Sequence, residues 1–351
     1  MIGGGASRDS SSRVAGTCGP LAALLIAAAL APPASAHHSA AMFDTSKQVA
    51  IEGVVTKYDW RNPHVYMAIR TTDAGGAAVE QEIEAGASSV LLPLGLKPDS
   101  VAIGERVTVR GNPSKQGAGH IVLGRELVTA DGSVLPLNIG SAASRAAPRD
   151  VTATSIAGTW LPRREQFFAF DGARGRWALT DKGHAAAAAF DGRQTAHADC
   201  IPVTAPSLML YPVTSVVEVG NDVVKLHVDW MSSERVVYLD GRGRPANAAP
   251  SLHGRSIGHW EGGTLVVDTT QFADHKQGNS MTLPSGPRKH VVERFALTDD
   301  HKHLKYDVVL EDPDYLAAPV RYGAEWDYRP DLAASGLPCD LEVARRFLSQ
   351  Q

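Results

Sequence analysis

Cysteine is scarce in this chain: there are three among 351 residues, at positions 18, 200 and 339. Cys18 falls inside an amino-terminal leader with no lipobox-like sequence before it, so the processed chain has one possible internal disulfide, Cys200 to Cys339, against the alternative of two buried thiols. Runs of basic charge are missing too. Without the leader, lysine plus arginine falls from 34 to 32 and aspartate plus glutamate from 38 to 37, a formal net charge of about −5 with no long block of either sign. That excludes the basic face a nucleic-acid partner requires. After Ala36 no apolar run is long enough to span a bilayer. What is present, 44% hydrophobic and 21% charged residues, is the composition of a folded, soluble protein with room for two domains.

The leader itself is informative. Arg8 and Arg13 form a positive start, the stretch from Val14 to Ala31 is apolar, and Pro32-Pro33 break it before Ala34-Ser35-Ala36. This reads as a secretory signal over residues 1–36, cleaved after Ala36, and predicts a periplasmic or secreted protein. An uncleaved anchor is the competing reading. Cleavage makes His37 the new terminus and places its α-amine and imidazole beside the imidazole of His38. Amine and imidazole nitrogens suit Cu(II), or zinc or nickel, and are available as ligands near neutral pH. His64, held after Pro63, is the candidate imidazole opposite them. The metal set is therefore His37, His38 and His64, against the plainer reading of a solvated terminus. No cysteine or carboxylate at ligand spacing adds to it.

Small residues from Gly140 to Asp150 have little to bury and separate two segments, so residues 140–155 read as a linker. The segment 37–139 carries short strand signals at Val49 to Tyr58, Val65 to Thr71, Val79 to Glu84, Glu105 to Gly111 and His120 to Thr129, with a helix over Ser88 to Lys97. Five strands and a helix suit a small OB-like barrel, with a short sandwich as the alternative. The segment 156–351 is also mainly β. Val224, Leu226, Val228 and Trp230 alternate with Lys225, His227 and Asp229. Strand signals continue at Arg235 to Asp240, Gly263 to Phe272, His290 to Leu297 and Leu304 to Leu310, after an N-capped helix over Thr180 to Phe190. Successive antiparallel strands of this length favour a calycin- or lipocalin-like up-and-down barrel.

His37-His38-Ser39, Phe43-Asp44, Gly53-Val54-Val55 and Trp60-Arg61-Asn62-Pro63-His64 together resemble the DUF6152 family of exported bacterial proteins, over about residues 37–130. The second segment resembles an uncharacterised family of secreted bacterial proteins, through Arg235 to Arg242, Gly254 to Thr269 and His290-Val291-Val292-Glu293-Arg294. Where that family usually carries an acidic residue after W-E-G, this chain has Gly263. Neither resemblance implies a defined activity.

The polar residues of the second set are the candidate site. On a strand, His290 and Arg294 share one side, and Glu293 lies with Val291 and Phe295 on the other. A carboxylate buried among apolar residues needs a partner, with Arg235 or Arg242 as candidates. The structural reading is an ion pair that fixes the barrel. The functional reading makes His290 and Glu293 an acid/base pair or polar anchor, with Arg235, Asp240, Arg242, Trp260 and Arg294 around a small-molecule ligand. Weaker candidates are a His301-x-His303 chelate, Cys200 as a nucleophile beside His197 and Asp199, and Ser256 in a Gly-x-Ser-x-Gly pattern that lacks the strand–turn–helix setting of a nucleophile elbow. The expectation is an exported two-domain binding or accessory protein, with a transition metal at its processed terminus and a pocket in the second barrel. The alternative is a hydrolase, lyase or isomerase without an organic cofactor, using His290 and Glu293.

Overall fold

The computed structural model describes residues 1, 3, 42–73, 75–116, 121–141, 150–191, 195–242 and 247–346. The leader apart from Met1 and Gly3, together with His37 and His38, lies outside them, as do residues 142–149 of the linker. The described chain is mainly β and closes into barrels in two regions. Among the described residues no helix is long and apolar enough to cross a membrane.

The first barrel contains β1 (Val49–Asp59), β2 (Tyr66–Thr72), β3 (Ala78–Glu84), α1 (Ser88–Leu91), β4 (Arg106–Pro113), β5 (Val122–Val128) and β6 (Val134–Pro136). Long β1 pairs antiparallel with both β2 and β4. A parallel pairing of β3 with β5, Ile83 opposite Val122 and Glu84 opposite Leu123, closes the ring. Val55, Met67, Ile69, Ile83, Val107, Val109 and Leu127 fill it. Gly53 is required by close approach, since a Cβ there would lie 2.4 Å from the Arg70 carbonyl oxygen. The helix expected from Ser88 to Lys97 is shorter: α1 passes into a 3-10 turn at Leu92–Leu94 and stops at Gly95. Pro93 removes an amide donor, and Gly95 takes a left-handed φ of 95° that ends the turn.

The second barrel follows with β7 (Gly158–Pro162), α2 (Arg164–Ala173), α3 (Asp181–Ala188), α4 (Ser207–Leu210), β8 (Ser215–Val219), β9 (Val223–Val228), β10 (Ser233–Tyr238), β11 (Arg255–Glu261) and β12 (Thr264–Thr270). The hairpin β13 (His275–Ser280) and β14 (Leu283–Ser285) stands outside the ring, which resumes with β15 (His290–Leu297), β16 (His303–Glu311) and β17 (Val320–Tyr328). The short helix α5 (Leu341–Arg345) ends the described chain. Alternation holds as read: Val224, Leu226 and Val228 of β9, and Leu304, Tyr306, Val308 and Leu310 of β16, all point into the core. Thr180 caps α3, its Oγ1 accepting from the Gly183 amide at 3.1 Å.

The ring departs from an all-antiparallel one at a single junction, where β10 runs parallel to β11. Nine strands form it, and an odd number cannot alternate direction all the way round. β17 returns to β7 to close the other side.

The carboxyl-terminal tail joins the two barrels. Ser335 donates its amide and hydroxyl to the Asp229 carboxylate at 2.7 and 2.8 Å. Asn62 Nδ2 donates to the Leu337 carbonyl at 2.9 Å, and Arg61 pairs with Asp340 at 3.1 Å. Val343 then packs with Phe43, Tyr66, Ile121 and Leu123. Cys200 and Cys339 are bridged, 139 positions apart in sequence and with 5.9 Å between their Cα atoms. Two residues of the Trp60–His64 motif, Arg61 and Asn62, thus hold this tail in place.

Candidate functional site

Arg235 on β10 and Glu293 on β15 both face the second barrel's interior, at 2% and 0% exposure. Their contact is a two-pronged pair, Nη1 to Oε1 at 2.9 Å and Nη2 to Oε2 at 2.5 Å. Tyr306 donates its hydroxyl to the same carboxylate at 2.9 Å, and Arg235 Nη2 also reaches Thr269 Oγ1 at 3.3 Å. Burial opposes the Arg235 charge, but the Glu293 carboxylate outweighs it, so its pKa moves up. Burial, reinforced by Glu293, holds the Tyr306 hydroxyl protonated well above the usual phenol range. Of the two arginines offered as partners for Glu293, the structure pairs it with Arg235. The pair is enclosed by side chains such as Phe295, Tyr306 and Trp326, which are fully buried.

The other motif residues lie elsewhere. His290 is on the outer face of β15, its ring between Asp268 Oδ1 at 3.1 Å and Glu311 Oε2 at 3.0 Å. It shares no site with Glu293, because residues three apart on a strand face opposite sides. Arg294 pairs with Glu261 at 2.7 Å on the outside, and Trp260 is 41% exposed. Arg242 grips Asp240 in an exposed turn and stacks on Tyr238, with 4.4 Å from its guanidinium carbon to the ring centre. Gly263 belongs to the tight Gly262-Gly263 turn between β11 and β12, where Gly262 has φ 60°. An acid at that position would sit on a hairpin tip.

The weaker candidates also resolve. Ser256 is a buried strand residue bonded to Thr269 Oγ1 at 2.9 Å, and β11 runs on into β12 with no helix after it. Cys200 is consumed in the disulfide. His301 occupies a turn at φ 57° and donates Nδ1 to the Ala153 carbonyl, whereas His303 faces Asp327 and Arg163. Among the described residues, no group of three or more His, Cys, Asp and Glu side chains is gathered for a metal ion.

A polar patch at one end of the second barrel had no sequence signal. Lys289 is buried, and its Nζ donates to Thr204 Oγ1 at 2.8 Å, the Ala205 carbonyl at 2.5 Å and the Gly278 carbonyl. Burial pushes its pKa down to about 7, with Asp312 pulling the other way. Burial likewise pushes His253 down to about 3, helped by Arg235, His275 and Lys289, and His275 down to about 4, helped by Lys289. Both rings are thus neutral in the folded protein at pH 7, while the unfolded chain takes up protons near pH ~6.5. Their contribution to stability is whole above pH ~6.5 and is lost as pH falls toward 4. The expected loss is on the order of a few kcal/mol between pH 7 and 4, discounted for the partial exposure of His253. Urea midpoints measured across that range should fall more steeply for the wild type than for H253Q/H275Q. Equal slopes would remove these rings as the cause.

One cavity among the described residues lies between the barrels and has a volume of about 250 Å³. From the first barrel come His64, Ala85, Ala87, Val90, Leu123 and Arg125; from the second region come Phe167, Tyr211, Pro212 and Trp230. Ala87 and Val90 belong to the same apolar cluster as the second barrel's core, so this face of the first barrel is covered by the second. Arg164 of α2 donates to the Ile139 carbonyl beside it. Tyr211 and Trp230 stack at 4.1 Å between ring centres, forming a flat aromatic wall. Thr45, exposed, and half-buried His64 mark the solvent side.

His64 follows the cis Asn62–Pro63 bond and donates Nδ1 to the Ala85 carbonyl at 3.2 Å, with Glu84 Oε1 at 3.5 Å. This holds the ring in one tautomer and leaves the Nε2 lone pair as an acceptor or ligand. Arg125 donates Nε to Asn112 Oδ1 at 2.7 Å. Burial lowers its pKa. The sequence marks His64 as a candidate but not Arg125, Asn138 or Trp230; His64 and Trp230 are distant along the chain from the Arg125–Asn138 stretch.

No curated protein matches the sequence. Residues 24–122 match the model of a family of unknown function, DUF6152, a stretch that takes in the paired histidines, the Trp60–His64 motif and the first barrel as far as the start of β5.

Proposed function

We propose that this chain is an exported two-domain binding or accessory protein whose small-molecule site is the cavity between its barrels. The observation that carries this reading is an apolar cavity of about 250 Å³, lined from both barrels and provided with the polar side chains of Thr45, His64, Arg125 and Asn138. Ligand sites have this make-up, mostly apolar walls with few polar groups, and typical volumes start near ~300 Å³, so the ligand is small. The export reading rests on the Arg8-to-Ala36 leader. The first barrel's ring, β1-β2-β3-β5-β4 with β3 parallel to β5, supports an OB-like reading, and the nearly sequential second ring supports a calycin-like one.

The test is a panel of phenyl-, cyclohexyl- and alkyl-substituted short-chain carboxylic acids, each with its primary amide, titrated while tryptophan fluorescence is read. Members of the panel are expected to bind and to perturb Trp230. Ala87→Phe, which puts a ring into the cavity wall, is expected to abolish binding at a stability cost of about 1–3 kcal/mol. Binding undiminished in A87F would place the ligand elsewhere.

A metal role for the processed terminus is a second reading, favoured by the His64 ring. Its Nδ1 is held by a backbone carbonyl with a carboxylate behind it, the usual outer support of a metal-binding imidazole. With His37 and His38 it would complete a Cu(II) site in protein cleaved after Ala36. Titration should give tight one-to-one binding, lost when an extra residue precedes His37. Equal affinity in both forms would remove the amine from the site. The enzymatic alternative gains no support from a shared site, because His290 and Glu293 face opposite sides of β15.

A further inference from the structure

The cavity between the barrels contains an uncompensated positive charge. Arg125 rises from β5 into the cavity wall, where its guanidinium is partly withdrawn from water. Its Nε is satisfied by the neutral Asn112 amide oxygen. Among the described residues no carboxylate forms an ion pair with it, and burial is the one influence acting on its pKa. Arg61, Arg163, Arg235, Arg242, Arg288 and Arg294 all have carboxylate partners. Glu84, a buried acid of the first barrel, is directed at His64 Nδ1 and at the Tyr66 hydroxyl and does not line the cavity. A half-desolvated guanidinium in an apolar wall costs free energy that a bound anion would recover.

The rest of the wall says what kind of anion. Trp230, Tyr211 and Phe167 are buried aromatic side chains, and Val90 and Leu123 add aliphatic surface. A hydrated inorganic anion would leave that surface in contact with water. We propose, resting on the reading of this cavity as a ligand site, that it takes a small apolar monocarboxylic acid. The carboxylate lies against the two terminal nitrogens of Arg125, in the fork geometry a guanidinium offers a carboxylate. The hydrocarbon or aryl body lies against Trp230, Tyr211 and Phe167.

The acid and amide pairs of the same panel decide it. In the wild type each acid is expected to bind about 10–100-fold more tightly than its amide, the range expected of a charge-assisted hydrogen-bonded pair over a neutral one. R125Q should bring acid and amide to within about threefold of each other. R125K, which keeps the charge and loses the fork, should fall between. Circular dichroism of each variant reports whether the barrels are intact, and the wild-type preference stands without any variant. Acids and amides binding equally well to the wild type would overturn the carboxylate assignment and leave the cavity as a neutral-ligand site. An acid preference that survives R125Q would overturn the role of Arg125. If neither acids nor amides bind, the reading of the cavity as a ligand site fails and this inference fails with it.

Discussion

Glu293→Ala is expected to destabilise the protein by about 3–5 kcal/mol, the range for removing one partner of a buried ion pair. The cost arises on Arg235. Its guanidinium, 2% exposed, would keep its charge with only the Ser256 and Thr269 hydroxyls in reach. Tyr306 would lose its acceptor at the same time. Glu293→Gln should cost almost as much, because an amide fills the space without the charge. R235M/E293L/Y306F makes a sharper test. Removing all members of a buried polar cluster together is often close to neutral, so the triple variant should be more stable than E293A. Guanidinium unfolding midpoints of the wild type and the three variants check this. A loss below about 1 kcal/mol in E293A would mean that water reaches the pair.

C200A/C339A should cost about 2–5 kcal/mol, the usual range for a native disulfide, with an upper bound near ~5 kcal/mol from chain entropy for a loop this long. The bridge spans 139 residues, so it restrains most of the second segment when unfolded. In the folded state its effect is local, because Cys339 lies in the tail that reaches back to Asn62 and Asp229. Hydrogen exchange should therefore quicken at residues 335–346 and stay unchanged at the amides of β16. A uniform rise across both regions would show that the bridge restrains the whole fold and not the tail alone.

Strand period was the most legible property. Val224 to Val228 and Leu304 to Leu310 alternate because each strand has one face on a core and one toward water, which leaves a two-residue record in the sequence. The side of Glu293 was legible for the same reason, and burial then demanded a cation. Which cation met it was not legible, since Arg235 and Glu293 are 58 positions apart in sequence and lie on strands that β11 and β12 separate in the ring. β7, β8 and β17 escaped notice. Both partners of β7 lie far along the chain, Trp160 being opposite Ser215 and Tyr328, and no local pattern announces them, although β8 and β17 also pair with their neighbours β9 and β16. Grouping His290 with Glu293 followed their closeness in sequence, yet adjacency along a strand separates side chains onto two faces.

Taken by itself, the sequence determined the β class, the two segments, the faces of the main strands and the need to neutralise Glu293. These follow from local rules, because apolar side chains repeat with the backbone period and a buried charge requires a partner. Only the tertiary structure decided which arginine that partner is, that Cys200 meets Cys339, and that Arg125, with no carboxylate partner among the described residues, shares a cavity with His64 and Trp230. Those residues are brought together by ring closure and by one barrel covering the other, events that couple positions too distant to leave a mark on their neighbours.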